Sequence, residues 1–391
     1  MNKTVFSQIM NHASRYQFDY LVKKYKGNKN SHKFSCWDHF LCMSFAQLTY
    51  RNSLRDIEIC LTAQPKKLLS MGIIGNPTRT NIANANQARN WRIYADYAQK
   101  LIYQARKLYQ DEQPFTVNLE NTVYALDATT IDLCLSLFPW AKFRNKKGAI
   151  KLHTLLDIRG SIPSFIEITD GLVHDVNVLD ELILEPGSYY LMDRAYIDFT
   201  RLYKINTEHC FFVTRAKKNL NFRRVYSQPV DRLSGLVCDQ VVKLNVTKSA
   251  NEYPENLRRI KFYDKETEKT LVFLTNNFEV PPLIVAELYK NRWKIELFFK
   301  WIKQHLKIKS FLGTTSNAVK SQIWIAISIY VVIAIIKKRL SIKMSLYSML
   351  QVFSVTLFEK TTIHDLFFDD EIIPIDNLDI NRQLDFYDFI E

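Results

Sequence analysis

Apolar positions recur at helical spacing from the first residues to about Gln113. The segments WDHFLCMSFAQLTY, SLRDIEICLTA and ANANQARNWRIYADYAQKLIYQARKLY predict a helical N-terminal domain over 1–113, with Ser53 as one N-cap. GIIGNPTRT interrupts the pattern with Gly72, Gly75 and Pro77. Past Pro114 the pattern changes to β-branched, apolar runs. TVYALDATTIDLCL, GAIKLHTLLDIRG and IPSFIEITDG predict three antiparallel strands in a meander. The first two are joined by SLFPWAKFRNKKG, a basic loop carrying Lys142, Arg144, Lys146 and Lys147. A helix over DVNVLDELIL, a strand SYYLMD, a helix DFTRLYKIN and a strand CFFVTRAK follow.

This β-β-β-α-β-α-β order, closed by a helix over 289–307, is the order of a ribonuclease-H-like fold, an α/β (α+β) class. The expected catalytic core covers 114–216 and 279–345. Between the two parts, NFRRVYSQPVDR, LVCDQVVKLNVT, LRRIKFYDK and KTLVFLTN predict a β-rich insertion over 217–278. After Lys309 a loop leads to an apolar helix expected to pack behind the sheet. Its uncharged run, 321–336, is 16 residues, short for a bilayer span and suited to a buried core helix. Residues 346–391 would hold a further helix and a tail.

Composition adds a partner. The chain has 391 residues, a net charge of +13, and is 47% hydrophobic, so it is globular with room for several domains. A surplus of this size points to nucleic acid rather than a membrane surface. It is uneven: residues 369–391 hold eight acids and one Arg, a net of −7, leaving +20 on the rest. The six cysteines form no CxxC pair, so neither a zinc site nor a disulfide framework is indicated, and no signal-peptide core precedes the first domain. Scattered cysteines of this kind fit a reducing cytoplasm. Arg79, Asn81, Asn84, Asn86, Gln87 and Arg89 crowd one short segment. They suit either base-edge readout or an ordinary polar helix face.

The late helix, YKNRWKIELFFKWIKQHLK, has two faces. Leu288, Ile295, Phe299, Ile302 and Leu306 form an apolar side. Tyr289, Arg292, Glu296, Lys300, Lys303 and Lys307 fall in a stripe roughly 80° wide. One carboxylate therefore sits in a row of cations. It is either an i,i+4 ion pair on a basic helix, or a metal ligand beside a phosphate-binding row. Two further acids close apolar runs: Asp127 after YAL in the first strand and Asp193 after YYLM in the fourth. Each alone suits a turn or cap. With Glu296 they make three hard oxygen donors, the type Mg²⁺ prefers. Asp132, Asp157, Asp170 and Asp175 lie nearby, and Asp132 would face away from Asp127.

These residues resemble the DDE transposases of bacterial insertion sequences, and more closely the insertion-sequence family four group with its Y-x2-R-x3-E-x6-K signature. Tyr289, Arg292, Glu296 and Lys303 reproduce every spacing, and D-A-T-T (from Asp127) and D-R-A-Y (from Asp193) match the other two blocks. Ala195 stands where the family usually has Gly. The resemblance implies that Asp127, Asp193 and Glu296 bind two Mg²⁺ or Mn²⁺ ions and catalyse strand nicking, then strand transfer by the freed 3′-hydroxyl. Tyr289, Arg292, Lys303, Lys300 and Arg194 are implied to grip DNA. An insertion aromatic among Phe222, Tyr226, Tyr253, Phe262 and Tyr263 is implied to stack on a flipped base. The implied partners are double-stranded DNA, as terminal inverted repeats and target, and a second copy of the chain assembled on DNA. Two other classes stay open on the residues: a tyrosine-type recombinase using Tyr289, and a non-catalytic DNA-binding protein on a nuclease-like scaffold.

Overall fold

The computed structural model of the chain describes residues 3–29, 31, 33–112, 119–144, 147–305 and 311–368. Leu306 and Lys307 of the late helix, Lys146 of the basic loop and the acidic tail from Asp369 lie outside the described residues. In chain order the first helices are α1 (Val5–Asn11), α2 (Arg15–Lys24), α3 (Cys36–Leu48), α4 (Leu54–Thr62), α5 (Pro65–Leu68), α6 (Arg79–Ala88) and α7 (Arg92–Tyr109). Strands β1 (Val123–Leu133), β2 (Lys142–Arg144), β3 (Lys147–Asp157), β4 (Ile162–Asp170) and β5 (Tyr189–Met192) follow. Next come α8 (Phe199–Thr207), β6 (Phe211–Arg215), β7 (Phe222–Gln228), β8 (Leu236–Leu244), α9 (Thr247–Glu252), β9 (Leu257–Asp264) and β10 (Lys269–Thr275). The chain goes on through α10 (Pro282–Lys290), α11 (Trp293–His305), α12 (Ser316–Arg339), α13 (Leu346–Thr356) and α14 (Ile363–Phe368). Two compact units result: Met1–Leu108 with Gln304–Glu391, and Tyr109–Lys303.

The helical unit is built around α3, which is buried along its whole length. A capping box between Ser35 and Asp38 starts that helix. Phe18 of α2 anchors an aromatic cluster with Trp37, Phe40 and Tyr97, at ring separations of 5.1, 5.2 and 5.0 Å. A helix buried all round needs apolar neighbours on every side, and α12 supplies one. It packs on α1, α3, α6 and α13 of the helical unit, where the sequence suggested the sheet as its partner. Asn317 fixes its start, donating to the carbonyls of Asn86 (2.9 Å) and Arg89 (2.6 Å). By length and composition α12 could cross a membrane, but it is buried within the fold, as expected of a core helix.

Two of the polar residues on the Arg79–Arg89 segment prove to be internal supports. Arg89 is buried and donates to the carbonyls of Ser35 (2.6 Å) and Phe34. Asn86 is buried and accepts from His39 Nε2 at 2.8 Å. Because the Asn86 oxygen can only accept, Nε2 carries the ring proton, and Nδ1 accepts from the Tyr94 hydroxyl at 2.6 Å. His39 is thus held neutral, and burial, with Arg89 nearby, pushes its pKa down to about 3. The unfolded histidine titrates near 6.5. Between these values the unfolded chain binds a proton that the folded chain refuses, so stability falls as the pH drops below 6.5. Between pH 7 and pH 5 the helical unit should lose about 2 kcal/mol through this residue. Urea unfolding at the two pH values checks this: His39→Gln should lose about 2 kcal/mol less than the wild type.

The second unit holds a ten-stranded sheet in the order β2-β3-β1-β5-β6-β10-β9-β8-β7, with β4 also paired to β3. β1 runs parallel to β5, and β5 to β6, while β3 is antiparallel to both β1 and β4. Within β4-β3-β1-β5-β6 only β3 runs backwards, which is the ribonuclease-H-like arrangement. The expected helix over DVNVLDELIL is a 3-10 turn, Asp175–Asp180. Strands β7 to β10 are no separate lobe: β10 pairs with β6 and extends the same sheet. One face packs Tyr124, Leu126, Tyr190, Met192 and Phe212 with Leu202 of α8 and Tyr253. On the other, Arg258 makes a buried two-point pair with Asp239 (2.9 and 2.7 Å) and donates to the Val280 carbonyl at 2.6 Å. That contact ties the extension to the start of α10, and so to the late helices.

Candidate active site

Strand register brings the first two acids together. Leu126 of β1 pairs with Met192 of β5, and Met192 with Thr214 of β6. The next residues along these three strands are Asp127, Asp193 and Arg215. They form one row at the carboxyl edge of the parallel strands, each about 4.8 Å from the next strand. β1 itself runs on to Leu133, so Asp127 lies inside the strand rather than at its end. Thr214 Oγ1 donates to the Asp193 carbonyl at 3.0 Å, and an Asp193 oxygen accepts from Ala195 N at 2.6 Å, capping the turn Arg194–Tyr196. Arg215 was not singled out in the sequence; only the register reveals it as an edge residue.

The third acid arrives on α11. The stretch read as one helix is two: α10 stops at Lys290 and α11 begins at Trp293. Between them Asn291 N donates back to Glu287 and Leu288, and Arg292 N to Tyr289 at 3.0 Å, a tight turn. From this turn Arg292 bridges the two carboxylates, donating to Asp127 Oδ2 at 3.2 Å and Glu296 Oε1 at 2.5 Å. Its guanidinium also lies 5.7 Å from the centre of the Tyr289 ring, which packs on Phe273 of β10 at 5.1 Å. Phe273 pairs with Arg215, so Arg215 and Tyr289 share one side of the sheet.

Burial sets the electrostatics. It pushes the Asp127 pKa up to about 6, Arg292 and the Ala128 amide pulling down while Asp193 and Glu296 add to the rise. Burial also raises the Tyr289 phenol, against the pull of Arg292 and Arg215. For Arg292 burial disfavours the charge, but Tyr289, Glu296 and Asp127 outweigh it and raise the pKa. The Asp193 charge acts on both Asp127 and Tyr289, adding to the rise of each.

The other expected residues divide. Arg194 and Lys300 are exposed and Lys303 is half-buried. Asp132 is exposed; Asp157 and Asp175 are engaged by Arg159 (3.0 Å) and Lys151 (2.9 Å). Of the insertion aromatics, Tyr253 belongs to the core and Arg259 covers Phe222, whereas Tyr226 and Tyr263 face solvent. Trp293, passed over in the sequence, is exposed beside Arg292.

A family model described as the transposase DDE domain matches residues 118–332, more than half of the chain. The chain belongs to that family. The transposase is 31% identical over 292 residues to transposase y4zB of Sinorhizobium fredii, covering 74% of this chain and 80% of the relative. It is 28% identical to a protein named as the transposase of insertion sequence element IS5377 in Geobacillus stearothermophilus, covering 58% and 61%. Its fold aligns with a chain of the cryo-EM structure of the piggyBac transposase synaptic complex with hairpin DNA. The TM-score is 0.45 at 11% identity, over 90% of this chain and 77% of that one. Residues 1–74 match a domain of unknown function, DUF4372. The protein is thus a DNA transposase of the bacterial insertion-sequence kind.

Transposases of this family generally use divalent metal ions. The donor set fits such ions in kind, because Asp127 and Glu296 supply hard oxygens that already converge on one cation, the guanidinium of Arg292. Among the described residues no three His, Cys, Asp or Glu side chains are gathered closely enough to ligate a metal.

Proposed function

We propose that this transposase binds the terminal inverted repeats of its element and performs metal-dependent strand cleavage and strand transfer with Asp127, Asp193 and Glu296. The observation that carries the reading is the shared edge row of Asp127 and Asp193, with Arg292 linking Asp127 to Glu296. Asp127, Asp193 and Glu296 would hold a pair of divalent ions, which would supply activation of the attacking oxygen and stabilisation of the leaving oxygen. The chain's own cations do the rest. Arg292, released from the carboxylates, binds a phosphate with Tyr289, and Arg215, Arg194, Lys300 and Lys303 hold the flanking backbone. Water attacks the phosphodiester at the element end and breaks its P–O3′ bond, leaving a 3′-hydroxyl and a 5′-phosphate. That 3′-hydroxyl then attacks a target phosphodiester, joining to its phosphorus and expelling the target strand's own 3′-oxygen as a hydroxyl. One chain carries one such acid set, so holding two ends takes two chains on DNA, most simply a two-fold pair in the bacterial nucleoid.

The class of chemistry is testable. A reaction on duplexes carrying the element's ends, stopped in chelator and denaturant, should yield free 3′-hydroxyls and joined strands with no protein left on the DNA. Tyr289→Phe should still nick. A covalent protein–DNA adduct that disappears in Tyr289→Phe would instead make Tyr289 the nucleophile.

A further inference from the structure

With Asn86 and Arg89 used inside the helical unit, that unit's contact with DNA needs further exposed surface. Helices α2 and α7 offer one. They are pinned together by Phe18 against Tyr97 and by Asp96, which accepts from Lys24 Nζ at 2.7 Å and the Tyr25 hydroxyl at 2.8 Å. Above this seam lies an open groove of about 520 Å³, lined by Tyr20, Lys24, Gln99, Lys100 and Tyr103 among others. Its aromatics are not core residues: Tyr16 is 85% exposed, Tyr20 61% and Tyr103 64%.

Spacing along α7 makes the surface continuous. Arg92, Gln99, Lys100, Tyr103 and Lys107 are all exposed and at the helical period fall on one side of the helix. On α2, Gln17, Tyr20, Lys23 and Lys24 do the same. The 18 residues of α7 extend about 27 Å, the rise of about eight base pairs. Charge selects the occupant. The two acids of this face are engaged within it, Asp96 by Lys24 and Asp19 by Arg15 at 3.5 Å. Lys23 and Lys100 have no carboxylate partner among the described residues, and Lys107 lies 4.8 Å over the Tyr103 ring. Unpaired lysines beside glutamines and tyrosine hydroxyls match a phosphate backbone with base edges within reach.

We propose that the α2–α7 face is where the helical unit takes hold of duplex DNA, with Lys23, Lys100 and Lys107 on phosphates and Gln17 and Gln99 toward the bases. The proposal rests on the reading of the chain as a DNA-binding transposase and assigns that binding to a surface of the helical unit, whereas Asp127, Asp193 and Glu296 belong to the other unit.

The test uses the full chain and a fluorescent 30-base-pair duplex of mixed sequence, titrated by anisotropy at several salt concentrations. Each of Lys23→Gln, Lys100→Gln and Lys107→Gln should lower the slope of log K against log salt by about 0.9 and weaken binding about eightfold at 0.1 M salt. Lys100→Arg and Lys107→Arg should keep the wild-type slope, separating loss of charge from loss of fold. A triple Lys→Gln variant with unchanged slope and affinity would overturn the assignment while leaving the transposase reading intact. If the wild type itself binds the duplex without salt dependence, the DNA-binding reading fails first. Binding to phosphatidylserine vesicles tighter than to the duplex would overturn the choice of partner.

Discussion

Replacing Arg292 with Gln should destabilise the protein by about 2 kcal/mol in chelator and make its stability newly sensitive to Mg²⁺. The guanidinium is 12% exposed and joins two carboxylates that are 24% and 33% exposed. Removing one partner of a fully buried pair costs about 3–5 kcal/mol, and partial solvation of the two acids reduces that figure. Without the bridge, Asp127 and Glu296 repel across a partly dry site. A divalent cation then relieves the repulsion, whereas in the wild type it must first displace Arg292. Guanidinium unfolding in chelator and in 10 mM Mg²⁺ reads both effects. Equal stability of wild type and variant in chelator, with equal gains on adding Mg²⁺, would show that the bridge does not hold the two acids together.

The parts of this site that could be seen in the sequence are those written locally. Asp127 and Asp193 each close an apolar run that reads as a buried strand, and Tyr289, Arg292, Glu296 and Lys303 lie within one short stretch of sequence. Long-range terms hid the rest. No Gly or Pro marks the turn between α10 and α11; it occurs where Arg292 reaches toward Asp127, a contact across 165 residues. Arg215 is a single arginine after CFFVT, and only the β5–β6 register puts it in line with Asp193. The apolar period of α12 is all-round, so it announces burial without saying against what. Its partner proved to be α3, some 280 residues earlier by the numbering. The polar run from Arg79 to Arg89 left base readout and an ordinary polar face both open. A buried Asn that bonds a histidine and a buried Arg that satisfies backbone carbonyls have the same composition as residues that read bases.

The central claim is that Asp127, Asp193 and Glu296 act as one metal-dependent set. Single removal of any one should therefore cost nearly as much as removing all three, because members of a catalytic unit are not additive. Each of Asp127→Asn, Asp193→Asn and Glu296→Gln keeps its side-chain volume and loses only the charge that an ion requires. A loss of about 4 kcal/mol of transition-state stabilisation corresponds to about a thousandfold in rate. DNA affinity should stay within about threefold, since the phosphate contacts are made by other residues. The most direct measurement is single-turnover nicking of an end-bearing duplex in Mg²⁺ by Asp193→Asn, the one acid that Arg292 does not touch. The account predicts saturated binding with nicking reduced about a thousandfold. Near-normal nicking and joining by Asp193→Asn would contradict it.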